Sequence, residues 1–139
     1  MKQIFFEKEN FREYDIWKDS MIITKDVYLY TKGFPKQDAI INQMQRAAIS
    51  IPSNIAEGSS RKSSVEFARY IEIALGSAYE LETQIELSFL LHYINNDIYK
   101  KLISNVYDVV AKQNLTYVYI VERAIRNAIN TAMNNCDHK

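Results

Sequence analysis

The side chains that most often carry out chemistry are few in this chain and are not grouped. His92 and His138 are its two histidines. Di-iron bundles use a Glu-x-x-His motif on each of two helices, and Phe89 stands where His92 would need its glutamate. No glycine-rich phosphate loop and no histidine-based triad can be assembled either. We therefore predict that the protein is not an enzyme and holds no metal or cofactor.

Three glutamates, Glu80, Glu82 and Glu86, stand close together and could imitate a carboxylate cluster. The segment around them is acidic throughout, so the preferred interpretation is a solvated helix face with Glu80 turned inward. His92 is interpreted as a partly buried polar residue near a helix end rather than as a ligand. Cys136, the single cysteine, can form neither an intramolecular disulfide nor a cysteine metal site, and we expect an exposed tail thiol.

The most informative stretch runs from Arg46 to Arg61 and is dense in small and polar residues. Its alanines allow helices to approach closely, and Asn54 can bond backbone groups that Pro52 frees. Gly58 then allows the backbone to leave this helix and turn toward the start of the next one. The preferred interpretation of the stretch is therefore structural.

The same stretch also allows a functional interpretation. Arg46, Arg61 and Lys62 could form a small basic spot beside the start of the following helix, where free backbone amides favour anions. This anion site is the weaker alternative.

Composition limits the classes of fold and partner. The 139 residues fit one domain with a real core, and 3 glycines and 2 prolines supply too little turn chemistry for many short strands. Lysine plus arginine equals aspartate plus glutamate, at 17 each, so no global field draws the protein onto nucleic acid or anionic lipid. Binding of that kind would need a local patch.

Apolar periodicity predicts four helices. The first begins at Asp15 and ends at Gly33, a suitable left-handed residue after a helix. The second runs from about Gln37 to just before Gly58, and Pro52 inside it predicts a kink near Ile51 rather than a break.

The third helix begins at Ser63 or Ser64, where a capping box is predicted, and extends to about Ile94. The fourth follows Asn95-Asn96-Asp97, which supplies N-cap candidates, and ends near Ile129. Short connections make sequential helices neighbours, so we predict an all-α, antiparallel, up-down-up-down four-helix bundle. The apolar arcs of the last two helices are wider than one bundle needs, and with ten tyrosines they favour self-association.

The predicted domain organisation is one bundle over residues 13–129, with a flexible N-terminal arm over residues 1–12 and a frayed C-terminal tail over residues 130–139. The beginning of the chain has too short an apolar run for a signal peptide, and no stretch reaches the roughly 18 residues of a membrane span. We expect a cytoplasmic protein with no membrane partner.

An ordered string of residues between Ile16 and Ala124 resembles a known family, the bacterial four-helix-bundle proteins encoded in intervening sequences of large-subunit ribosomal RNA genes. The structural positions of its motif are, in this chain, Arg46, Ser50, Pro52, Asn54, Glu57, Gly58, Gly76, Ser77 and Glu80.

The resemblance implies an antiparallel four-helix bundle that assembles as a homopentamer around a central channel, without known catalytic activity. The chain is also similar to the accessory protein of diversity-generating retroelements, which is basic, pentameric and binds nucleic acid. Our leading hypothesis is a non-catalytic, self-associating scaffold or adaptor. The alternative is a nucleic-acid-binding accessory factor that would use Arg46, Arg61, Lys62 and Arg69, although the chain lacks the positive charge of that relative.

Overall fold

The computed structural model of the chain describes residues 10–137. Within that range the protein forms four α-helices and no strand, which confirms the predicted all-α class: α1 Asp15–Thr31, α2 Ala39–Ser59, α3 Ser64–Leu90 and α4 Asn96–Asp137. A short 3-10 turn, Phe11–Glu13, precedes α1. Most of the predicted arm over residues 1–12 lies outside the described residues.

Side-chain caps set the starts of three helices. Ser63 Oγ accepts the N–H of Glu66 at 3.1 Å, as the predicted capping box requires of the serine. Asn95 Oδ1 accepts the N–H of Ile98 at 2.9 Å at the start of α4. Asp38 Oδ1 accepts the N–H of Ile40 at 3.1 Å at the start of α2. Short polar residues before each apolar run therefore mark these starts in the sequence.

The ends of all four helices differ from the predicted ones, and α2 continues through Gly58 to Ser59. Gly33 was predicted to be left-handed, but no glycine of the described range has a positive φ, and α1 ends two residues earlier. The left-handed residue is instead His92, at φ 60°, just after α3. Around it, Tyr93 N–H bonds Ser88 O and His92 N–H bonds Phe89 O, the two bonds of a Schellman ending. His92 is exposed rather than partly buried, because it caps the helix.

The last helix is longer than predicted. α4 continues to Asp137, whereas the sequence suggested a helix end near Ile129 and a frayed tail over residues 130–139. The reason lies in composition, because the chain has no glycine or proline after Gly76 that would stop a helix. Helix four therefore has 42 residues against 17 in α1.

The four helices pack around one core. The most extensive contacts join α2 with α3 and α3 with α4, followed by α1 with α2 and then α1 with α4. Gly58, Ser50 and Met44 meet Tyr70, Ser77 and Ser88 respectively, so contacts run in opposite order along α2 and α3. The fully buried centre contains Ile23, Val27, Met44, Ile51, Ile55, Ile71, Leu81, Ile85, Leu102, Val106 and Val109. No helix of the described range is both long and apolar enough to cross a membrane.

The proline inside α2 is compensated by a neighbouring helix. Pro52 lacks the N–H that would bond Ala48 O, and Ala48 is fully buried. Thr24 of α1 places its hydroxyl 3.0 Å from that carbonyl, and 2.8 Å from Ser20 O in its own helix. Asn54, predicted to serve the freed groups, donates instead to Ser50 O at 2.7 Å, so that prediction was wrong. The kink at Pro52 stays a prediction.

Replacing Thr24 by valine should lower the free energy of unfolding by about 1 kcal/mol, because a buried carbonyl loses its donor while the side-chain shape is kept. In a Pro52→Ala background the restored N–H should bond Ala48 O, and the same Thr24→Val change should cost almost nothing. Urea unfolding of the four proteins measures this coupling. Equal costs in both backgrounds would contradict the compensation.

Helices α3 and α4 are also joined by a short phenol–carboxylate bond. The Tyr99 hydroxyl donates to Glu86 Oε1 at 2.6 Å, and the Tyr99 ring stacks on Phe89 with centroids 4.4 Å apart. That bond, with desolvation and nearby carboxylates, raises the pKa of Tyr99 to about 12. The unfolded phenol has a pKa of about 10. Above pH 10 the unfolded chain therefore loses this proton while the folded chain keeps it.

The stability that Tyr99 contributes should thus be complete below pH 10 and decline as the pH rises toward 12. We expect the urea midpoint of the wild type to fall between about pH 9.5 and 11.5, and that of Tyr99→Phe to fall less. Asp38 likewise raises the pKa of Tyr93 by a hydrogen bond, so Tyr93→Phe is a second test of the same effect. Parallel curves for wild type and Tyr99→Phe would contradict it.

Candidate functional site

The family-motif residues converge on one surface cleft between α2 and α3. The cleft has a volume of about 640 Å³. Five of the motif positions line it, namely Arg46, Ser50, Asn54, Ser77 and Glu80. The other lining residues are Gln43, Ala47, Ile49 and Ser53. The five motif positions lie one helix turn apart along α2 and α3, which places their side chains on the adjoining edges of the two helices. The motif therefore marks a surface as well as a helix contact.

Hydroxyl and amide groups form the floor of this cleft. Ser77 Oγ lies 2.8 Å from Ser50 Oγ, which links α3 to α2. Asn54 Nδ2 lies 3.0 Å from the same Ser50 oxygen and 2.7 Å from Ser50 O. The side chains are half-buried, and their hydrogen bonds hold the two helices in register.

Opposite charges stand at the mouth of the cleft. Arg46 is exposed and has no hydrogen bond or ion pair with any described residue. Glu80 is exposed too, and its Oε1 accepts only a 3.3 Å bond from Gln84 Nε2. The prediction that Glu80 turns inward was wrong, because the inner positions of α3 are occupied by Ala78 and Leu81. The cleft thus offers both a guanidinium and a carboxylate to a partner.

Exposed apolar side chains flank the polar groups. Ile49 lines the cleft and is 42% exposed, and Ile73, one turn before Ser77 on α3, is 45% exposed. Gly76 lies beside them, and a Cβ added there would meet nothing within 4 Å. Polar groups surrounded by uncovered isoleucines are typical of a protein contact surface.

The second half of the motif closes the end of the α2–α3 pair. Arg61 Nη2 donates to Glu57 Oε1 at 2.8 Å and lies 2.6 Å from the Tyr70 hydroxyl. The Arg61 guanidinium also lies 4.8 Å from the centroid of the Tyr70 ring. Gly58 fits against Tyr70 and Phe67. Glu57 and Gly58 are therefore structural positions.

The four predicted anion contacts are not brought together. Arg61 and Lys62 line a small cavity of about 70 Å³ at the turn between α2 and α3. Arg46 lies about 15 helical residues before them on α2, on the order of 20 Å away. Arg69 lines an apolar groove between α3 and α4. A cation that the sequence analysis missed, Arg123, completes the cavity of Arg61 and Lys62.

Arg123 could have been found from the register of the hairpin formed by α3 and α4. If these helices pair in opposite directions about the connection near Tyr93, residue 123 of α4 falls beside the first turn of α3. The predicted helix four already included residue 123, but the pairing of the two helices was not used to ask which cations it brings to the start of α3.

The face formed by α1 and α4 lies opposite the cleft in the bundle. Lys112 Nζ lies 2.6 Å from Asp19 Oδ2, and both residues line a narrow cavity of about 150 Å³ with Asp108. Asp108 is exposed and has no hydrogen bond or ion pair with a described residue. Ile22 of α1, an exposed apolar residue, also lines this cavity.

No group of three or more histidine, cysteine, aspartate or glutamate side chains in residues 10–137 is arranged to hold a metal ion. The lone cysteine is exposed near the end of α4. The side chains that line the cleft, among them Arg46, Ser50 and Glu80, can form hydrogen bonds and ion pairs.

Comparisons with known proteins agree with this architecture. A family model described as 23S rRNA-intervening sequence protein matches residues 12–114. One similar solved structure is a protein of unknown function from the S23 ribosomal protein family of Bacteroides thetaiotaomicron. It superposes with a TM-score of 0.66 and 23% identity, over 70% of this chain and 94% of that chain. That likeness extends to the fold. No curated protein matches the chain significantly.

Proposed function

Since the chain belongs to the 23S rRNA-intervening sequence protein family, we propose that it is a non-catalytic bundle that associates with its own copies and serves as a scaffold or adaptor. The observation that carries the proposal is the α2–α3 cleft, in which motif residues present unpaired opposite charges between uncovered isoleucines. A catalytic group would be expected to lie near a nucleophile or base, whereas these residues are arranged like a contact surface.

The proposed contact is head-to-tail. The cleft lies on the α2–α3 side of the bundle and the Asp108 cavity lies on the α1–α4 side, so the two surfaces face away from each other. A contact between two different patches closes into a ring when the rotation between neighbours allows it. We propose a ring of five, the number that the family resemblance implies.

Charge complementarity selects the partners across this contact. Arg46 and Asp108 are exposed charges of opposite sign on the two faces, and neither has an ion pair within hydrogen-bond distance, although Asp19 and, more weakly, Asp108 raise the pKa of the nearby Lys112. Lys112 on the second face can approach Glu80 on the first. We propose that Arg46 of one protomer pairs with the Asp108 side chain of the next. The apolar side chains of α1 would then cover Ile49 and Ile73.

A charge exchange tests the proposal. Arg46→Asp should convert the assembly to protomers, or to pairs that lack a ring, at concentrations of about 10 µM, because like charges would face each other across a partly desolvated contact. Asp108→Arg alone should do the same, and the double variant should assemble again. Light scattering after gel filtration measures the mass, and circular dichroism checks that each protomer stays folded.

Lys36→Asp is the matched control. It makes the same change of charge at an exposed loop residue between α1 and α2, away from both faces, and should leave the mass unchanged. If Arg46→Asp assembles like the wild type, or if the double variant does not recover, the head-to-tail contact is refuted.

One observation favours a second candidate, the binding of nucleic acid. Arg61, Lys62 and Arg123 surround a cavity beside the capped N-terminus of α3, and a ring would repeat this basic spot. Fluorescence anisotropy with labelled structured RNA and duplex DNA at low and physiological salt tests it. Salt-sensitive binding that disappears in Arg61→Glu/Lys62→Glu would support this candidate, and no binding at low salt would remove it.

A further inference from the structure

The C-terminal part of α4 extends beyond the bundle. Every residue from Ile125 to Asp137 is exposed, and this segment alone is about 20 Å long. An isolated helix of this length is only marginally stable in water. Its own protomer leaves each of these residues exposed, so a partner that covers the segment would stabilise it.

The composition of the segment is that of a contact surface. Residues 127–136 contain no charged side chain, although the chain as a whole is 24% charged. Ile125, Ile129 and Met133 follow one another at intervals of four residues and are each more than half exposed. Ala128 and Ala132 lie between them and permit a second helix to approach closely. A neutral helix with such a stripe resembles the centre of an interface.

A mostly apolar groove between α3 and α4 begins where this exposed segment of α4 begins. The groove has a volume of about 590 Å³. It is lined on α3 by Val65, Ala68, Arg69 and Glu72, and on α4 by Tyr117, Val121, Ala124, Ile125 and Ala128. Ile125 and Ala128 belong both to the groove and to the stripe of the segment. The groove therefore continues directly into the uncovered helix.

This part of the chain lies outside the family model, which ends at residue 114. The similar structure is covered over 94% of its own length while leaving 30% of this chain unmatched. The part of α4 after residue 114 thus lies beyond the region that the family model matches.

We propose that the end of α4 of a second copy lies in this groove, antiparallel to the first α4, with each copy filling the groove of the other. The groove runs along residues 117–128 of α4 and the uncovered stripe along residues 125–136, so the two have equal lengths. A two-fold axis near Asn127 places Ile125 against Ile129 and Val121 against Met133 of the other copy. Glu72 and Arg69 remain at the rim.

The surface area that two paired α4 helices would bury indicates how tightly they would associate. Two helices that bury one face along about 20 residues remove on the order of 1,000 Å² from water, at the lower limit for specific interfaces. One such pair is therefore weak and depends on concentration. In a ring all tails project from the same end, so several pairs would act together and join two rings.

This pairing does not depend on the α2–α3 contact, and its test separates the two. Ile129→Asp/Met133→Asp should halve the mass of the wild-type assembly, whatever the number of protomers in a ring. Asn127→Asp/Asn134→Asp adds the same charge on the opposite side of the helix and should leave the mass unchanged. An unaltered mass in the first variant would overturn the proposal.

Thiol trapping in the full chain tests the orientation. With an axis near Asn127, Val118 faces Cys136 of the other copy, while the two Cys136 residues lie about 27 Å apart. Val118→Cys should therefore give a disulfide-linked dimer under mild oxidation, and Val118→Cys/Cys136→Ser should not. A wild-type dimer linked through Cys136 itself would overturn the antiparallel arrangement.

Discussion

Gly58→Ala is expected to lower the free energy of unfolding by about 2 kcal/mol, because the added methyl group overpacks the contact between α2 and α3. Its Cβ would lie 2.6 Å from Tyr70 Cβ and 3.0 Å from Phe67 Cδ1. Tyr70 Cβ is fixed to the α3 backbone, so a rotamer change cannot relieve that contact. The helices must separate, which also disturbs the bonds between Arg61, Glu57 and Tyr70. Urea unfolding at fixed protein concentration measures the loss.

Gly76 provides the matched control for Gly58. Both are helical glycines of the family motif, but a Cβ at Gly76 meets nothing within 4 Å of it in the protomer. Gly76→Ala should therefore raise the free energy of unfolding by about 1 kcal/mol through helix propensity alone. Opposite signs at the two positions would confirm that Gly58 is required for close approach. A similar gain at both would contradict the packing argument.

Gln113→Met is expected to raise the free energy of unfolding by about 2 kcal/mol. Gln113 is fully buried in α4, and neither its Nε2 nor its Oε1 has a hydrogen-bond partner in the described structure. Methionine has nearly the same shape and removes two unsatisfied polar atoms from the core. Gln113→Ala, which leaves a cavity instead, should destabilise the protein. A loss of stability in Gln113→Met would mean that the amide is satisfied, for example by buried water.

The unpaired amide of Gln113 also bears on what can be read from sequence. Its spacing with Val109 and Thr116, both of which are buried, places Gln113 on the inner face of α4. Spacing reports which face a residue occupies, but it does not report whether a buried polar group finds a partner. That depends on the side chains of three other helices.

Helix starts were predictable because their signals are local. Ser63 and Asn95 cap the helices that follow them, as expected for short polar residues before an apolar run. Helix ends were less predictable, because several residue types can adopt the final turn. His92, rather than a glycine, adopts the left-handed conformation after α3, where the Schellman bonds outweigh the cost of its Cβ.

The candidate site was predictable only as a set of residues. The motif positions were interpreted as structural residues, and within the protomer Gly58 packs against Tyr70 while Glu57 accepts a bond from Arg61. Arg46 and Glu80 instead lie exposed at the mouth of the cleft, while Ser50 and Ser77 meet on its floor. The thiol of Cys136 is exposed as predicted, but on a continuous helix.

A surface role for the motif changes how variants should be interpreted. Substitutions at Gly58 should act on the stability of each protomer, whereas substitutions at Arg46 should act on assembly and leave the protomer intact, because Arg46 has no partner within it. Separating the two effects requires that mass and stability be measured on the same variants.

Sedimentation velocity of the wild type beside Arg46→Asp and Arg46→Asp/Asp108→Arg tests the central proposal most directly. We predict that the wild type sediments at a multiple of five times the 16.2 kDa protomer mass, that Arg46→Asp loses the ring, and that the double variant regains it. A wild type that remains a 16.2 kDa monomer at about 100 µM, or an Arg46→Asp variant indistinguishable from it, would contradict self-association through the α2–α3 cleft.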